Sequence, residues 1–285
     1  MNPHLAQFEA KVRTEWLDDA TVAAWARWHD KCVAFWHEFT DRLLAAAQLA
    51  AGHRVLDLAS GTGDPALMVA ARVGPAGHVV ATDLAPQMLA IARANADRAG
   101  LRNLSFEPAD AHSLPYADAS FDRVTCRLGV MFFWDCPRAL REIRRVLKPG
   151  GVATFLAWGP AEEQDYMRTA MAPFKQRRPP PAPPPGAPTP YRFGLPGSLG
   201  TELRAAGFSA VREDTHRVGT RWPGPPDELW TRLYECSAPM RPYFDSFSPD
   251  VRAAAIREAI AGLAHYYDGR EVVASAVIIV ATGTA

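Results

Sequence analysis

Small residues follow a short apolar run in the segment VLDLASGTGDP, Val55–Pro65. Asp57 lies within the run, and the spacing after it is Ala59-x-Gly61-x-Gly63. A loop of this kind lets backbone approach a flat or anionic ligand closely. A Walker phosphate site would need a Lys before Ser or Thr, and the segment has none. The loop therefore argues against a nucleoside triphosphate.

The same loop also differs from a dinucleotide-binding fingerprint. That fingerprint reads G-x-G-x-x-G, whereas the spacing here is one residue tighter. Asp57, at the strand end, would repel a pyrophosphate but suits a cationic ligand. Asp83 lies 20 residues after Gly63, at the end of a second apolar run, where a carboxylate can accept both ribose hydroxyls. These residues indicate a phosphate-free nucleoside with positive charge.

Alternating strand and helix patterns must position these residues. Strand-like segments are HRVLDLA, GHVVATDL, LSFEPAD, FDRVTCRLG and VATFLAW, with helix-like PALMVAARV, PQMLAIARANADRAG and CPRALREIRRVLKPGG between them. Short connections between such segments are typical of βαβ units on a parallel sheet. Before them, aromatic residues at helical spacing predict one or two helices within 21–49.

The alternation stops after Trp158. A helix is predicted within 161–175, and the proline-rich stretch 179–190 excludes helix and central strand. GSLGTELRAAGF predicts a helix, Val211–Val218 a strand, residues 227–267 two helical stretches, and EVVASAVIIVAT a closing strand. We interpret the proline-rich stretch as a rigid strap across a substrate mouth. A flexible linker and a ligand for a proline-binding domain are the alternatives.

Composition narrows the class of protein. Basic and acidic residues number 31 each, which argues against a nucleic-acid partner held mainly by phosphate contacts. The four cysteines show no zinc spacing, so we expect reduced thiols and no metal. The start of the chain lacks the apolar region of a signal peptide, and the run Val272 to Thr282 is too short to span a bilayer. We expect a cytoplasmic monomer or homodimer with no membrane span.

Four motifs in order resemble class I S-adenosylmethionine-dependent methyltransferases, and most closely the ubiquinone/menaquinone C-methyltransferase-like group. They are VLDLASGTGD, VVATDLAPQMLAIAR, FEPADAHSLPYADASFD and LREIRRVLKPGG, within residues 52–158. The wider family usually has Gly where this chain has Ala59. The resemblance implies a Rossmann-like seven-stranded α/β sheet, strands six and seven antiparallel, with a helical substrate cap. Residues 1–50 would form a lid, 51–160 the cofactor-binding core, and 161–285 the cap plus the last two strands, in one compact unit.

The resemblance also implies which residues hold the cofactor, S-adenosylmethionine. The loop would surround its methionine part, the second strand would hold its ribose, and the third and fourth strands would contact its adenine and ammonium groups. In chain order these residues are Asp57, Ala59, Ser60, Gly61, Gly63, Asp83, Leu84, Met88, Asp110, Ala111 and Arg127. Asp110 would accept from the adenine amino group, and the Arg127 carbonyl region would meet the ammonium.

The acceptor side is less defined by sequence. Strand four lacks the Asn/Asp-Pro-Pro pattern of enzymes that methylate nucleic-acid or amide nitrogens, which favours a small, largely apolar acceptor. His112, after the adenine motif, and His29, on the aromatic N-terminal helix, are candidates for removing a proton. Candidate pocket residues are Trp25, Trp28, Tyr191, Arg192 and Phe193. Ordinary packing and surface exposure are the alternatives for both sets.

The predicted function is methyl transfer from S-adenosylmethionine to a small organic acceptor on carbon, oxygen or nitrogen, in secondary metabolism. A sulfonium is already an activated donor, so no metal or covalent intermediate is required. Two alternatives stay open. One is a quinone C-methyltransferase, and the other is a protein of the same fold that uses the cofactor for cyclisation or decarboxylation, or only binds it.

Overall fold

Residues 4–285, the part of the chain that the computed structural model describes, form a seven-stranded sheet with helices on both faces. The strands are β1 Arg54–Leu58, β2 His78–Asp83, β3 Leu104–Pro108, β4 Phe121–Arg127, β5 Leu147–Trp158, β6 Ser209–Trp222 and β7 Val272–Thr284. Their order is β3-β2-β1-β4-β5-β7-β6. The first five are parallel, whereas β7 is antiparallel to both β5 and β6. This confirms the predicted fold class.

The helices alternate with the parallel strands and then accumulate after β5. They are α1 Leu5–Trp16, α2 Asp19–Phe35, α3 His37–Ala46, α4 Ala66–Val73, α5 Pro86–Arg98, α6 Cys136–Val146, α7 Asp165–Arg177, α8 Ser198–Ala205, α9 Pro226–Cys236, α10 Arg241–Asp245 and α11 Pro249–Leu263. The aromatic pattern correctly predicted α2 and α3, whereas α1 lies before that pattern, within the N-terminal helical lid that the resemblance implied for residues 1–50. Asp18 begins α2 by accepting the backbone N–H of Thr21 at 2.9 Å, which is a standard helix cap.

Successive residues of one strand reach separate cores on the two faces of the sheet, as the two-residue period of a strand requires. In β1, Val55 packs in a cluster with α4, whereas Leu56 packs in the cluster that includes α6. In β5, Phe155 and Leu156 divide in the same way between two clusters. Because both faces of the sheet are covered, its central strands are almost continuously apolar.

The largest aromatic cluster joins the N-terminal helices to the segments that follow β5. Phe35 of α2 contacts Tyr166 of α7 edge-on at 5.1 Å and Trp222 of β6 at 5.8 Å between ring centroids. Trp230 of α9 stacks on Phe174 of α7 at 5.4 Å. The residues predicted as a lid and those predicted as a cap therefore share one hydrophobic core.

The proline-rich stretch lies mostly at the surface and contains neither helix nor strand between residues 179 and 197. Its last residues turn inward, so that Pro190 and Tyr191 reach the main cavity described below. The strand predicted at Val211–Val218 is longer in the structure and spans Ser209–Trp222, paired along its length with β7. Within residues 4–285, no helix is both long and apolar enough to cross a bilayer.

Candidate functional site

A cavity opens where the five parallel strands end. The segments that line it there follow β1, β2, β3 and β4 directly, and Trp158 at the end of β5 completes this side. In chain order they are residues 58–62, 82–84, 109–112 and 127–129. Open α/β sheets bind their ligands at this edge, where loops and helix starts converge. The remaining wall comes from α1, α2, α7, α9 and the end of the proline-rich stretch.

The loop after β1 is held from behind by a buried carboxylate. Asp57 is fully buried and accepts the hydroxyls of Ser60 at 2.6 Å and Thr125 at 2.5 Å. Burial raises the pKa of Asp57 to about 6, and the two hydroxyls counteract that rise. Asp57 does not line the cavity, so its predicted contact with a ligand is replaced by a supporting role. Ser60 also accepts the backbone N–H of Thr82 at 3.1 Å, which joins the loop to β2.

The backbone of this loop is shaped by left-handed residues. Ala59 has φ +54° and Gly61 has φ +51°, and both line the cavity. A Cβ at Gly61 would meet no atom of the described residues within 4 Å, so the space in front of the loop is open to a ligand. Gly63 does not line the cavity, contrary to its predicted place. Its missing side chain instead makes room for Leu67, whose Cδ1 would lie 2.6 Å from a Cβ there.

Close approach also explains the glycine that follows β4. A Cβ at Gly129 would lie 2.5 Å from the Cβ of Ala59 and 2.9 Å from the sulfur of Cys126. Such distances are far inside van der Waals contact. The loop after β1 and the loop after β4 therefore touch through the methyl group of Ala59.

Asp83 stands at the end of β2 with its carboxylate tied to the same loop. Its Oδ2 accepts the backbone N–H of Gly61 at 2.9 Å, and its Oδ1 accepts that of Ala85 at 3.0 Å. Burial raises the pKa of Asp83 despite these hydrogen bonds. Asp83, Leu84 and Met88 all line the cavity. A carboxylate that still has free lone pairs beside an apolar floor fits a ribose next to a planar base.

The third strand presents Asp110 and Ala111 to the cavity, with Asp110 already in a network. Its Oδ1 accepts from His112 Nδ1 at 2.6 Å, and its Oδ2 pairs with Arg13 of α1 at 3.0 Å. The backbone N–H of Asp135 donates to His112 Nε2 at 3.2 Å. Both ring nitrogens of His112 are thus occupied, and its ring stacks on Trp134 at 3.8 Å. These hydrogen bonds occupy the lone pair that His112 would need as a proton acceptor, so they argue against that prediction.

His29, the other candidate base, lines the cavity. Its Nδ1 lies 2.8 Å from the hydroxyl of Thr62, and burial lowers the pKa of the imidazole. Trp25, one turn earlier, also lines the cavity. Trp28 does not, contrary to prediction, because its Nε1 donates to Glu235 at 2.7 Å and its ring packs on Trp222. The helix therefore presents Trp25 and His29 to the cavity, one turn apart, and turns Trp28 toward α9.

Arg127 lines the cavity, and both terminal nitrogens of its side chain donate hydrogen bonds. Its Nη1 donates to Asp64 Oδ2 and to Thr40 Oγ1, both at 2.6 Å, and its Nη2 donates to the Asp64 carbonyl at 3.0 Å. This buried ion pair joins β4 to the loop after β1 and to α3. Its predicted role concerned the Arg127 carbonyl region, which lies at the same cavity edge.

Of the three pocket residues predicted at the end of the proline-rich stretch, one lines the cavity and two do not. Tyr191 lines the cavity. Arg192 does not, because its Nη1 donates to the carbonyl of Phe133 at 2.7 Å. Phe193 is buried in the core beside α6 and α8. Only the first of them has access to a ligand, because the chain turns into the core after it.

Several cavity residues were not predicted from sequence. They are mainly aromatic residues and a cation from segments far apart in the chain: Trp16, Trp36, Phe132, Trp158, Tyr166 and Arg232. Trp36 lies within the aromatic helical pattern, which gave a signal for a core but not for a pocket. Trp16 ends α1, Phe132 follows β4 and Trp158 ends β5, whereas Tyr166 and Arg232 belong to α7 and α9, so only the complete fold brings them to one cavity.

The comparisons with known proteins agree with this geometry. Residues 55–151 match the family described as "Methyltransferase domain". A demethylmenaquinone methyltransferase from Thermus thermophilus is 50% identical over 107 residues, covering 38% of this chain and 48% of the relative. A ubiquinone/menaquinone biosynthesis C-methyltransferase from Cellvibrio japonicus is 40% identical over 117 residues, covering 41% and 46%. The chain thus spans about half the length of the curated relatives it matches.

Solved structures share the architecture over most of the chain. The YcgJ protein from Bacillus subtilis covers 87% of this chain and 98% of its own, with a TM-score of 0.57 at 19% identity. The [4+2]-cyclase SpnF covers 86% and 79%, with a TM-score of 0.50 at 25% identity. At such low identity the first likeness shows the fold alone.

The fold is that of a Rossmann-like α/β protein whose main cavity lies where the parallel strands end. Within that class, the family match over residues 55–151 and the motif order support a class I S-adenosylmethionine-dependent methyltransferase domain in this part of the chain. The cofactor of that class is S-adenosylmethionine, and the residues present fit it. The open space before Gly61, the carboxylate of Asp83 and the apolar floor at Leu84 and Met88 meet its three parts without a phosphate site.

Proposed function

We propose that this protein transfers a methyl group from S-adenosylmethionine to a small, largely apolar organic acceptor, in secondary metabolism. The observation that carries the proposal is the single cavity that joins the nucleoside-binding edge of the sheet to an aromatic wall. The aromatic side, which includes Trp25, Trp36 and Trp158, is suited to a flat apolar molecule. α1 and α2 supply part of that wall and limit the access of water to the cavity.

When bound, the cofactor supplies a methyl carbon that is already activated by a positively charged sulfur. The chain therefore needs only to align the acceptor with that carbon, exclude water and receive a proton where the acceptor loses one. His29 is the residue that we assign to the proton. If its Nδ1–H donates to Thr62, its Nε2 carries the lone pair, and its lowered pKa keeps the ring neutral at pH 7.

Two classes of acceptor or reaction deserve separate tests. The matched relatives are named as menaquinone and ubiquinone methyltransferases, which supports a quinone-type acceptor methylated on carbon. The likeness to the cyclase SpnF supports a second candidate, in which the fold promotes a reaction of an apolar substrate without methyl transfer. The cap after residue 158 lies outside the family match, and this favours an acceptor different from that of the matched relatives.

The test is the formation of S-adenosylhomocysteine when the protein and the cofactor are incubated with reduced quinones and with extracts of small aromatic metabolites. Labelled methyl should appear in an organic product. His29→Ala should lower the turnover rate and leave the affinity for S-adenosylhomocysteine unchanged, with His37→Ala, an exposed neighbour on α3, as control. Tight cofactor binding with no labelled product from any acceptor, and conversion of the substrate alone, would contradict transfer and favour the second candidate.

A further inference from the structure

Arg232 of α9 is a buried cation whose charge no carboxylate balances. Its side chain lines the cavity, although only 3% of the residue is exposed. Its Nε–H donates to the sulfur of Cys32 at 3.4 Å. The groups that act most on its charge are Cys32, Cys236 and Tyr166. Within residues 4–285, no ion pair joins Arg232 to an acid.

The other guanidinium at this cavity, that of Arg127, is paired with a carboxylate. Arg127 is held by Asp64 at 2.6 Å and by a hydroxyl and a carbonyl, so a carboxylate balances its charge. Arg232 has five N–H donors by its chemistry, and its neighbours are the weakly accepting sulfur of Cys32 at Nε and the hydroxyl of Tyr166, neither of which is a carboxylate. Burying a cation without an anion costs free energy, and an anionic ligand would offset that cost.

Aromatic rings surround the guanidinium on the protein side. Its central carbon lies 4.3 Å from the ring centre of Trp36, 5.4 Å from that of Phe35 and 5.8 Å from that of Trp25. Ring faces attract a cation, but they do not neutralise it. The indole N–H groups of Trp25 and Trp36 also have no hydrogen-bond partner among the described residues. This wall therefore contains donors and positive charge, and none of its groups is a carboxylate paired with Arg232.

The pKa of the neighbouring thiol, Cys32, is affected by the charge of Arg232 as well as by its own hydrogen bond. A hydrogen bond from Cys236 lowers the pKa of the Cys32 thiol, burial opposes the decrease, and the charges of Arg232 and Arg127 add to it. The pKa of Cys236 is raised in turn by its hydrogen bond to Cys32. Tyr166 keeps a raised pKa because burial outweighs the nearby guanidinium. This end of the cavity thus stabilises negative charge on a polarisable atom.

We propose that Arg232 binds an ionised oxygen group of the acceptor, a carboxylate or a phenolate attached to an aromatic ring. The ring lies against Trp25 and Trp36, and the oxygen anion replaces the missing partner of the guanidinium. This inference rests on the proposed function for its substrate, and it narrows the acceptor from apolar to amphipathic. α9 lies outside the residues that match the methyltransferase family, so the site belongs to the cap of this chain.

The experiment uses two pairs of probes that differ in charge and resemble each other in shape. The full-length protein is titrated with 2-naphthoate and 2-naphthamide, and with 4-nitrophenolate and 4-nitroanisole, with and without saturating S-adenosylhomocysteine. Calorimetry measures each affinity. At least one anion should bind about tenfold or more tightly than its neutral counterpart, because an oxygen anion pairs with a desolvated guanidinium. A preference for naphthoate alone assigns a carboxylate, and a preference for nitrophenolate alone assigns a phenolate.

Substitutions test whether Arg232 causes the preference for the anionic probes. Arg232→Gln should abolish it, and Arg232→Lys should keep part of it, because the charge remains without the planar fork. Arg217→Gln, which removes an exposed arginine of β6 that is paired with Glu163, is the matched control and should keep the full preference. Unchanged affinity for S-adenosylhomocysteine in each variant shows that the fold is intact.

Two outcomes would overturn the proposal. One is equal affinity of the wild-type protein for both members of each pair, which needs no variant and would mean that the Cys32 thiolate already balances Arg232. The other is a charge preference that persists in Arg232→Gln. Neither result depends on turnover. Failure of methyl transfer therefore overturns the proposed function alone, and loss of the charge preference overturns this inference alone.

Discussion

Asp83 performs two tasks with one carboxylate, because each oxygen accepts a backbone N–H while the group faces the cavity. These hydrogen bonds fix its orientation before any ligand arrives. A preoriented carboxylate loses little entropy when it accepts the two hydroxyls of a ribose. The same bonds make the position sensitive to substitution, since the loop at Gly61 depends on it.

Replacing Asp83 tests the ribose assignment. Asp83→Ala should weaken binding of S-adenosylhomocysteine by about 2–4 kcal/mol, because two charge-assisted hydrogen bonds are lost. Calorimetry measures the affinity, and Asp97→Ala, an exposed acid on α5, is the control. Unchanged affinity in Asp83→Ala would rule out a ribose at this carboxylate.

The raised pKa of Asp57 predicts that the free energy of unfolding depends on pH. Its folded-state pKa is raised from 3.8 to about 6, so folding favours the protonated form, and its ionisation destabilises the folded state as the pH rises through that range. The stability of wild type relative to Asp57→Asn should therefore decrease between pH 4 and pH 7, by on the order of 3 kcal/mol. Urea unfolding at several pH values measures this difference. With the exposed Asp118→Asn as control, a pH-independent difference for Asp57→Asn would contradict the assignment.

At the scale of elements, α1 closes the side of the cavity at Asp110. Val12 and Trp16 line the cavity, and Phe8 and Val12 pack on Trp134. Arg13 joins the helix to Asp110 at 3.0 Å and lies 5.2 Å over the ring of Trp134. The helix is thus attached through a small apolar cluster and one partly exposed ion pair. An attachment of this strength permits opening for ligand exchange.

Arg13→Gln should loosen this attachment. Partly exposed ion pairs contribute about 0.5–1 kcal/mol, so the dissociation rate of S-adenosylhomocysteine should rise by about two- to fivefold. Stopped-flow displacement measures the rate. Lys11→Gln, on the same helix and paired only with Glu15 in the described residues, should leave it unchanged. If both variants release the ligand at the wild-type rate, α1 is not part of the closure.

At the scale of the whole molecule, the shared aromatic core ties the N-terminal helices, the cap and the sheet into one unit. Phe35→Ala should cost about 3–5 kcal/mol, since a fully buried ring with several aromatic neighbours is removed. Tryptophan fluorescence and far-ultraviolet circular dichroism should report one coincident unfolding transition in wild type. Separate transitions for the two signals would show that cap and sheet unfold independently.

The parallel half of the sheet and its edge were predictable because each has a local signature. VLDLASGTGDP marks a strand followed by a tight loop, and Asp83 follows the next strand, so both were placed at one edge. The hydrogen bond that argues against His112 as a base could not be predicted, because its donor, the backbone of Asp135, lies in another loop. Arg232 and Tyr166 gave no signal at all, because only the packing of α7 and α9 on the sheet brings them to the cavity.

Because Ala59 and Gly129 are in contact, the residue types tolerated at these two positions should depend on each other. The gap between the two loops holds a single methyl group, which this chain carries at position 59. A glycine at 59 would relieve the left-handed backbone there and return that space to position 129. Gly129→Ala should destabilise the fold, and adding Ala59→Gly should recover only part of the loss, because a Cβ at position 129 would still lie 2.9 Å from the sulfur of Cys126. A family alignment should accordingly show these two positions varying together. No sequence should have a residue larger than glycine at both.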